Sequence, residues 1–242
     1  GKILREMRKR VYEEFDSNTP QGDIHLEYIY VDSDEKDLYN DKEWNYLGAD
    51  VSLGARQKVN IHGIGSGVLA SPKSFPGIGA FINDDDLKEL RSDQVSGIID
   101  AGIGGQRRRF GRLLLANNVT NSPDEGFTAV VRERLLNMRN SGDGQAEVVI
   151  HICAGLAGGT GSGSIVDAMA QIHKITQGES GFNVFLYLYV PENMVSERED
   201  KGFYHANGYA ALAELNAISL GKYHPVDISG DKDPRNGKVK RL

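Results

Sequence analysis

The stretch that decides the fold is residues 154–163, Ala-Gly-Leu-Ala-Gly-Gly-Thr-Gly-Ser-Gly. It follows the apolar run Val-Val-Ile-His-Ile-Cys at residues 148–153 and precedes a run of helical character that starts at Ser164. A buried strand, a glycine-rich turn and a helix in this order predict an anion site, because exposed backbone N–H groups and the helix dipole favour phosphate. Thr160 and Ser162 add hydroxyl donors. The stretch therefore predicts a nucleotide-binding loop.

Two common phosphate-binding signatures do not fit this loop. A P-loop requires a lysine followed by serine or threonine after its second glycine, and residues 158–164 contain no lysine. The dinucleotide fingerprint requires Gly-x-Gly-x-x-Gly with an acidic residue about 20 positions on. Neither the loop at 159–161 nor the run His62-Gly63-Ile64-Gly65 completes that pattern. A dinucleotide-dependent oxidoreductase nevertheless stays open as an alternative. NAD found bound to the purified protein would support it.

The loop resembles the phosphate loop of the tubulin and FtsZ superfamily. Residues 157–163, Ala-Gly-Gly-Thr-Gly-Ser-Gly, depart from the tubulin signature Gly-Gly-Gly-Thr-Gly-Ser-Gly only at Ala157. The resemblance implies that the nucleotide phosphates are held by Gly155, Gly158, Gly159, Thr160, Gly161, Ser162 and Gly163.

Two further loops carry the same resemblance. Residues 32–38, Asp-Ser-Asp-Glu-Lys-Asp-Leu, are similar to the FtsZ second loop Asn-Thr-Asp-Ala-Gln-Ala-Leu, which implies that Asp34 faces the phosphates through water or Mg²⁺. Residues 102–106, Gly-Ile-Gly-Gly-Gln, are similar to the Gly-Ala-Gly loop around the terminal phosphate. Gln106 and Arg107 depart from the Asn and Pro of FtsZ. The implied phosphate contacts are Gly102, Gly104, Gly105 and Gln106.

The base and ribose sites follow from the last third of the chain. Residues 204–212 resemble the tubulin helix whose Asn reads the purine edge, and Asn207 is the matching position. An amide offers both a donor and an acceptor, as discrimination of guanine requires. Glu192 matches the fifth loop, which bonds a ribose hydroxyl, although the nearby acidic residues 197, 199 and 200 leave that assignment open. The expected ligands are GTP or GDP and Mg²⁺.

Alternating strand-like and helix-like runs predict an α/β fold: a mainly parallel sheet flanked by helices on both faces. The resemblance makes this a tubulin-type nucleotide-binding (Rossmann-like) domain. We expect residues 1–220 to form it, with an irregular insertion of short helices and a loop at 41–94. Residues 221–242 are expected to lack a regular element and to begin the connection to a missing C-terminal part. The resemblance also implies that a first strand precedes Gly1.

Several conspicuous side chains are predicted to have structural roles. His151 and Cys153 are expected to be buried in the strand before the phosphate loop. The run Asp84-Asp85-Asp86 predicts an acidic helix start rather than a metal site. The basic residues of an amphipathic helix at 2–15, including Arg8, are expected on its solvated side. For residues 107–109, all arginine, an anionic partner and a salt-bridge cluster both stay open.

Composition narrows the class of protein. The chain has 242 residues, of which 39% are hydrophobic and 26% charged, as in soluble globular proteins. Its apolar runs, such as residues 182–190, are too short to span a bilayer. The single cysteine excludes an internal disulfide and suits a reducing cytosol. A net charge of -6 argues against general nucleic-acid binding. We expect a cytoplasmic protein without a membrane span.

The resemblance implies a GTP-binding domain that self-associates head-to-tail, and the runs at 107–112 and 206–210 favour the bacterial tubulin-like branch. In this superfamily an acidic loop of the neighbouring subunit completes GTP hydrolysis. That loop is expected outside this chain, so we assign no catalytic residue and expect GTPase activity only from the assembled, full-length protein. The alternative is a non-polymerising nucleotide-sensing module of a larger protein, in which the 41–94 segment blocks stacking.

Overall fold

The fold is described from a computed structural model, in residues 1–90, 106–141, 147–192 and 203–242. The α-helices are α1 (Lys2–Phe15), α2 (Glu35–Leu38), α3 (Ser66–Ala70), α4 (Pro76–Gly79), α5 (Asp84–Leu90), α6 (Arg108–Asn121), α7 (Phe127–Asn140), α8 (Gly159–Thr176) and α9 (Tyr204–Ser219). The strands are β1 (Tyr30–Asp32), β2 (Asn45–Tyr46), β3 (Ala49–Asp50), β4 (Lys58–Asn60), β5 (Val148–Gly155) and β6 (Phe182–Tyr189).

Two of the strand pairs are parallel, as the α/β prediction requires. β5 pairs with β6 over eight residues, from Val148 opposite Phe182 to Gly155 opposite Tyr189. β1 pairs with β4, with Val31 opposite Val59. β2 and β3 form a short antiparallel hairpin. The mixed α/β class is therefore confirmed, but the described residues form three two-stranded sheets rather than one large sheet.

The largest core lies between β5 and helices α6, α7 and α8. Phe110, Leu113 and Leu114 of α6 and Val130 of α7 are buried there, and Ile150 of β5 packs against them. α6 and α8 approach closely because glycines line their contact. A Cβ on Gly111 would overlap the carbonyl oxygen of Gly159, and one on Gly163 would overlap that of Arg108. Only glycine permits two helix backbones to meet at this distance.

The prediction that His151 and Cys153 are buried is wrong, since both are exposed. Side chains of a strand alternate between faces, so Ile150 and Ile152 point to the helices and His151 and Cys153 point away. His151 instead stacks on Phe185, and its Nδ1 lies 3.1 Å from the Tyr187 hydroxyl. The prediction of helix cover on both faces also fails for β6, most of whose side chains are exposed.

The segment at 41–94 is more regular than predicted. It contains β4, which is a sheet partner of β1, and the β2–β3 hairpin, in addition to short helices. Its Trp44, Val51 and Leu53 are buried against Tyr28 and Tyr30 of the preceding segment. The acidic helix start is confirmed: Asn83 and Asp86 exchange backbone-to-side-chain hydrogen bonds of 2.9 and 2.8 Å at the start of α5.

The expectation that Arg8 is solvated is wrong. Arg8 is 8% exposed and packs its guanidinium 5.1 Å from the Tyr28 ring centroid. Its Nε donates to the Val51 carbonyl at 3.0 Å and its Nη1 to the Asn18 carbonyl at 2.7 Å. Burial of this side chain is tolerated because its N–H groups are paired with backbone acceptors and an aromatic ring. Arg8 therefore fastens α1 to the segment around β3.

Residues 221–242 are also more ordered than predicted. Antiparallel bridges join Val226 to Arg241 and Lys232 to Val239, and Asp227 and Ile228 are fully buried. Asp227 accepts hydrogen bonds from Lys174 at 2.8 Å and from Gln171 at 2.9 Å, both on α8. Burial alone would raise the pKa of Asp227, but these donors and Ser229 hold it below its usual value. The segment is thus fixed to the distal half of α8.

The close contact between α6 and α8 predicts that adding one methyl group there strongly lowers the stability of the fold. Gly111→Ala should lower the free energy of unfolding by about 2–3 kcal/mol, because the methyl group overlaps backbone that cannot move independently. The matched control is Gly67→Ala in α3, where an added Cβ meets only Phe75 at 3.8 Å. That variant should be neutral or more stable by up to about 1 kcal/mol. Urea denaturation measures both, and similar values for the two variants would contradict the close-packing account.

Candidate functional site

The segments that follow β1 and β5 contact each other. The Oγ of Ser33, directly after β1, lies 2.7 Å from the Oγ1 of Thr160 in the first turn of α8. These residues are 127 positions apart in the sequence. Parallel strands of α/β folds place their following loops at a common edge, where ligands bind. The Ser33–Thr160 contact shows that the predicted second loop and phosphate loop are neighbours.

The glycine-rich stretch is shorter as a loop than predicted, because α8 begins at Gly159 rather than at Ser164. Gly158 is the N-cap and, as a glycine, has no side chain with which to cap the helix. The first backbone N–H groups of an α-helix have no partner within the helix. They carry the positive end of the dipole of an 18-residue helix. The stretch therefore places an uncapped helix start directly beside Ser33.

The glycines of this stretch fall into two structural groups. A Cβ on Gly155 or Gly158 would meet no atom within 4 Å in the described part of the chain, so there this backbone has open space beside it. A Cβ on Gly161 would overlap the Gly155 carbonyl, and Gly163 lies against α6. The glycine character of Gly161 and Gly163 is thus explained by packing. That of Gly155 and Gly158 fits the approach of a ligand to the backbone.

The two hydroxyls of the stretch point to different partners. Thr160 is half-buried and directs its hydroxyl to Ser33 at the edge of the site. Ser162 is fully buried, and its hydroxyl donates to the Gly158 carbonyl. The expectation that the Ser162 hydroxyl is offered to a ligand is therefore not met. A mid-turn serine bonding the carbonyl four residues earlier is a local backbone contact.

The acidic loop after β1 is held by its own side chains. Asp32 Oδ1 accepts from the backbone N–H groups of Ser33 at 2.7 Å and Asp34 at 3.1 Å. Asp34 is the N-cap of α2 and accepts from the N–H of Lys36 at 2.9 Å. His62, which follows β4, has its Nδ1 3.0 Å from the Ser33 carbonyl. Since a carbonyl only accepts, Nδ1 carries the proton in this contact.

Asn207 joins three segments of the site. It lies in the first turn of α9, is 5% exposed, and donates from Nδ2 to the Gln106 carbonyl at 2.6 Å and the Ala157 carbonyl at 2.9 Å. Gln106 has a left-handed backbone, with φ of 59°. Gly208 is packed against Pro191, whose Cδ would lie 2.6 Å from an added Cβ. Asn207 therefore holds Gln106 close to Ala157 in the glycine-rich stretch.

The remaining predicted site residues divide between described and undescribed parts of the chain. Gly102, Gly104 and Gly105 lie outside the described residues, as do the acidic residues 197, 199 and 200. Glu192 is exposed and accepts a hydrogen bond from the Tyr204 hydroxyl, which lowers the pKa of its carboxyl group. Its carbonyl lies 2.8 Å from the His205 Nε2. Glu192 is thus tied to the start of α9, three residues before Asn207.

The arginines at 107–109 have acidic partners within the chain. Arg107 pairs with Glu89, Arg108 with Glu214 and Arg109 with Asp86. Arg112, one turn further along α6, donates from Nη2 to Asp167 at 3.0 Å. Of the two alternatives left open by the sequence, these contacts favour the salt-bridge cluster.

Two features are absent from the described residues. His, Cys, Asp and Glu side chains in the described ranges form no group of three or more suited to a metal ion. No helix among the described residues is long and apolar enough to cross a bilayer.

Sequence reasoning missed two residues that the fold brings to this edge, His62 and Glu214, and named Arg108 only among the arginines at 107–109 whose role stayed open. Each is remote in sequence from the residue that it contacts. His62 had a weak signal, because it follows the alternating run Val59-Asn60-Ile61 and the carboxyl end of a parallel strand predicts the ligand edge. The Arg108–Glu214 pair had none, since 106 positions separate its members.

A family model described as tubulin like matches residues 1–238, so the chain belongs to the tubulin-like family. This confirms the superfamily that the glycine-rich loop indicated. No curated protein and no solved structure shows significant similarity to the chain.

The clamp made by Asn207 predicts that Asn207→Asp is poorly tolerated. A carboxylate would face two carbonyl oxygens in a buried position, so the free energy of unfolding at pH 7 should fall by about 3 kcal/mol. Asn216→Asp on the exposed side of the same helix is the control and should cost less than about 1 kcal/mol. Chemical denaturation checks both. Equal losses would mean that the Asn207 amide is not engaged as described.

Proposed function

We propose that this chain, as a member of the tubulin-like family, binds GTP and GDP at the edge where β1, β5 and α9 meet. The observation that carries the proposal is the uncapped start of α8, with open space beside Gly155 and Gly158. Ser33 contacts Thr160 in the first turn of this helix, and Asn207 contacts the Ala157 carbonyl just before it. A helix start is suited to bind phosphate because its first N–H groups have no partner within the helix, and nearby hydroxyl groups can add hydrogen bonds.

In this proposal the phosphates lie against the backbone of residues 155–160. The N–H groups at the start of α8 donate to phosphate oxygens, and the Thr160 hydroxyl exchanges its contact with Ser33 for one with phosphate. Gly161 and Gly163 act indirectly, because they let the helix start sit close to β5 and α6. Gly102, Gly104, Gly105 and Gln106 are proposed to contact the terminal phosphate, by resemblance to the superfamily.

Asn207 is proposed to select the base. Both Nδ2 hydrogens are used by the Gln106 and Ala157 carbonyls, so the amide offers only its Oδ1 acceptor to the ligand, not the donor and acceptor pair expected from the sequence. An acceptor matches the N1–H and N2 amino donors of guanine, whereas adenine presents an acceptor at N1. Glu192 is proposed to bond a ribose hydroxyl, since it is fixed beside the start of α9.

Mg²⁺ would be held through water by Asp34. Its carboxylate accepts one backbone hydrogen bond, which leaves lone pairs for the hydration shell of an ion. Mg²⁺ keeps several waters when one or two carboxylates and the substrate phosphates bind it. When bound, the ion would neutralise charge on the phosphate oxygens. The residues of this chain would hold the phosphates in one orientation.

Hydrolysis is proposed to need a second subunit. The side chains gathered at the described edge bind and orient, and the acidic loop that positions the attacking water in this superfamily is expected from a neighbouring molecule. Positioning and charge stabilisation account for most of the catalysis of phosphoryl transfer. Head-to-tail assembly of a cytoplasmic, bacterial tubulin-like protein would therefore couple polymer formation to turnover.

Loss of the Thr160 hydroxyl tests the phosphate site. Thr160→Ala should weaken GTP binding by about tenfold, as expected for a hydrogen bond to a charged group, and leave the fold intact. Thr176→Ala at the opposite end of α8 is the control, since that hydroxyl bonds only carbonyls of its own helix. Equilibrium titration with GTP, ATP and NAD, with and without Mg²⁺, measures the effect. Wild-type affinity in Thr160→Ala would refute the phosphate-loop assignment.

The second candidate is a non-polymerising nucleotide-sensing module. Trp44, Val51 and Leu53, which flank the β2–β3 hairpin, are buried against Tyr28 and Tyr30 and so anchor this part of the 41–94 segment, as a segment that blocks stacking would need. Sedimentation of the full-length protein separates the two hypotheses. Assembly that requires GTP and reverses with GDP is expected from the first, whereas GTP binding without any change in sedimentation would favour the second.

A further inference from the structure

We infer that Arg108 and Glu214 are positioning residues for the phosphate loop, acting together across the first turn of α8. Neither is expected to touch the nucleotide. The inference rests on the proposed function, because it concerns the geometry of the same loop.

The Arg108 guanidinium makes a three-point contact. Nη1 and Nη2 donate to the two carboxylate oxygens of Glu214 at 3.2 and 2.8 Å, and Nε donates to the Ser162 carbonyl at 3.1 Å. The rigid fork of arginine supports this combination, whereas the point charge of lysine does not. Its side chain is 17% exposed, so solvent competes weakly for these donors. Arg108 thereby links α6 to α9 and touches α8 between them.

The Ser162 carbonyl lies in the turn that presents the free N–H groups of α8. The Ser162 hydroxyl bonds back to the Gly158 carbonyl, just before the helix start. The Arg108 carbonyl itself lies against Gly163, where only a hydrogen atom fits. The side chain and main chain of Arg108 therefore contact two consecutive residues of α8, Ser162 and Gly163. A shift of this arginine would tilt the helix start on which phosphate is proposed to bind.

Glu214 gives α9 a second hold on the loop. It lies seven residues after Asn207, which is two helical turns, so both side chains face the same side of α9. Asn207 donates a hydrogen bond to the Ala157 carbonyl before the helix start. Glu214 acts after the helix start, because it binds Arg108, which donates to the Ser162 carbonyl. The helix that carries the proposed base-reading amide thus also supports the phosphate loop from both ends.

A neighbouring residue supplies a matched control. Arg109, next in the same turn of α6, pairs with Asp86 of α5, and its side chain is 60% exposed. It has the same charge, the same helix position relative to the dipole and an acidic partner, but its ion pair lies away from α8. An effect of Arg108 that Arg109 does not share is therefore an effect on the loop.

The test compares Arg108→Gln with Arg109→Gln in the full chain. Binding of GTP and of guanosine is measured by competition against a fluorescent GTP analogue, and urea denaturation gives the stability of each variant. Arg108→Gln should lower GTP affinity about tenfold and leave guanosine affinity unchanged, because guanosine lacks phosphates. Arg109→Gln should leave both affinities at their wild-type values. A merely structural role of Arg108 would lower both affinities by the same factor, and that result would overturn the inference.

Glu214→Gln provides a milder second variant in case Arg108→Gln does not fold. It keeps the shape of the side chain and removes its charge, so a loss of about threefold is expected for GTP alone. Wild-type GTP affinity in this variant would overturn the role of the pair. Failure of the proposed function is distinguishable, because the unmodified chain would then bind no GTP. Failure of the inference leaves the unmodified chain binding GTP and the variants matching it.

Discussion

The close approach of α6 and α8 is the constraint on which the rest of the structure depends. Gly111 and Gly163 let the two backbones touch, and this contact fixes the start of α8 relative to the main core. Because β5 runs directly into α8, the same contact sets where the glycine-rich turn emerges. The C-terminal segment, bonded through Asp227 to Gln171 and Lys174, secures the other end of that helix.

Polar contacts then assemble the site around this fixed helix start. Ser33 approaches from β1, Asn207 from α9, and Arg108 reaches the first turn of α8 from α6. Each of these contacts is half-buried and joins segments at least 50 positions apart. Such bonds contribute modestly to stability one at a time. Their importance lies in geometry, since a phosphate site requires several donors to hold one arrangement.

Sequence patterns predicted the helices with long amphipathic or apolar runs and missed short, remotely paired elements. Helix α1 and strands β5 and β6 lie where the amphipathic run at 2–15 and the apolar runs at 148–153 and 182–190 indicated. β4 was missed because three residues carry little pattern and its partner β1 lies 28 positions earlier. Arg8 and His151 were misassigned in burial, since burial depends on which neighbouring segment packs against each face.

The sequence by itself determined the family and the position of the glycine-rich loop. The run at 154–163 contains neither the lysine of a P-loop nor the spacing of the dinucleotide fingerprint, which leaves the tubulin signature as the matching motif. The match to the tubulin-like family extends over residues 1–238. Only the tertiary structure decided how those residues divide their tasks. It turned Gly161, Gly163 and the Ser162 hydroxyl toward the protein and left Gly155 and Gly158 beside open space. The physical reason is that a motif fixes residue types, whereas packing against α6 and α9 fixes which atoms face a ligand.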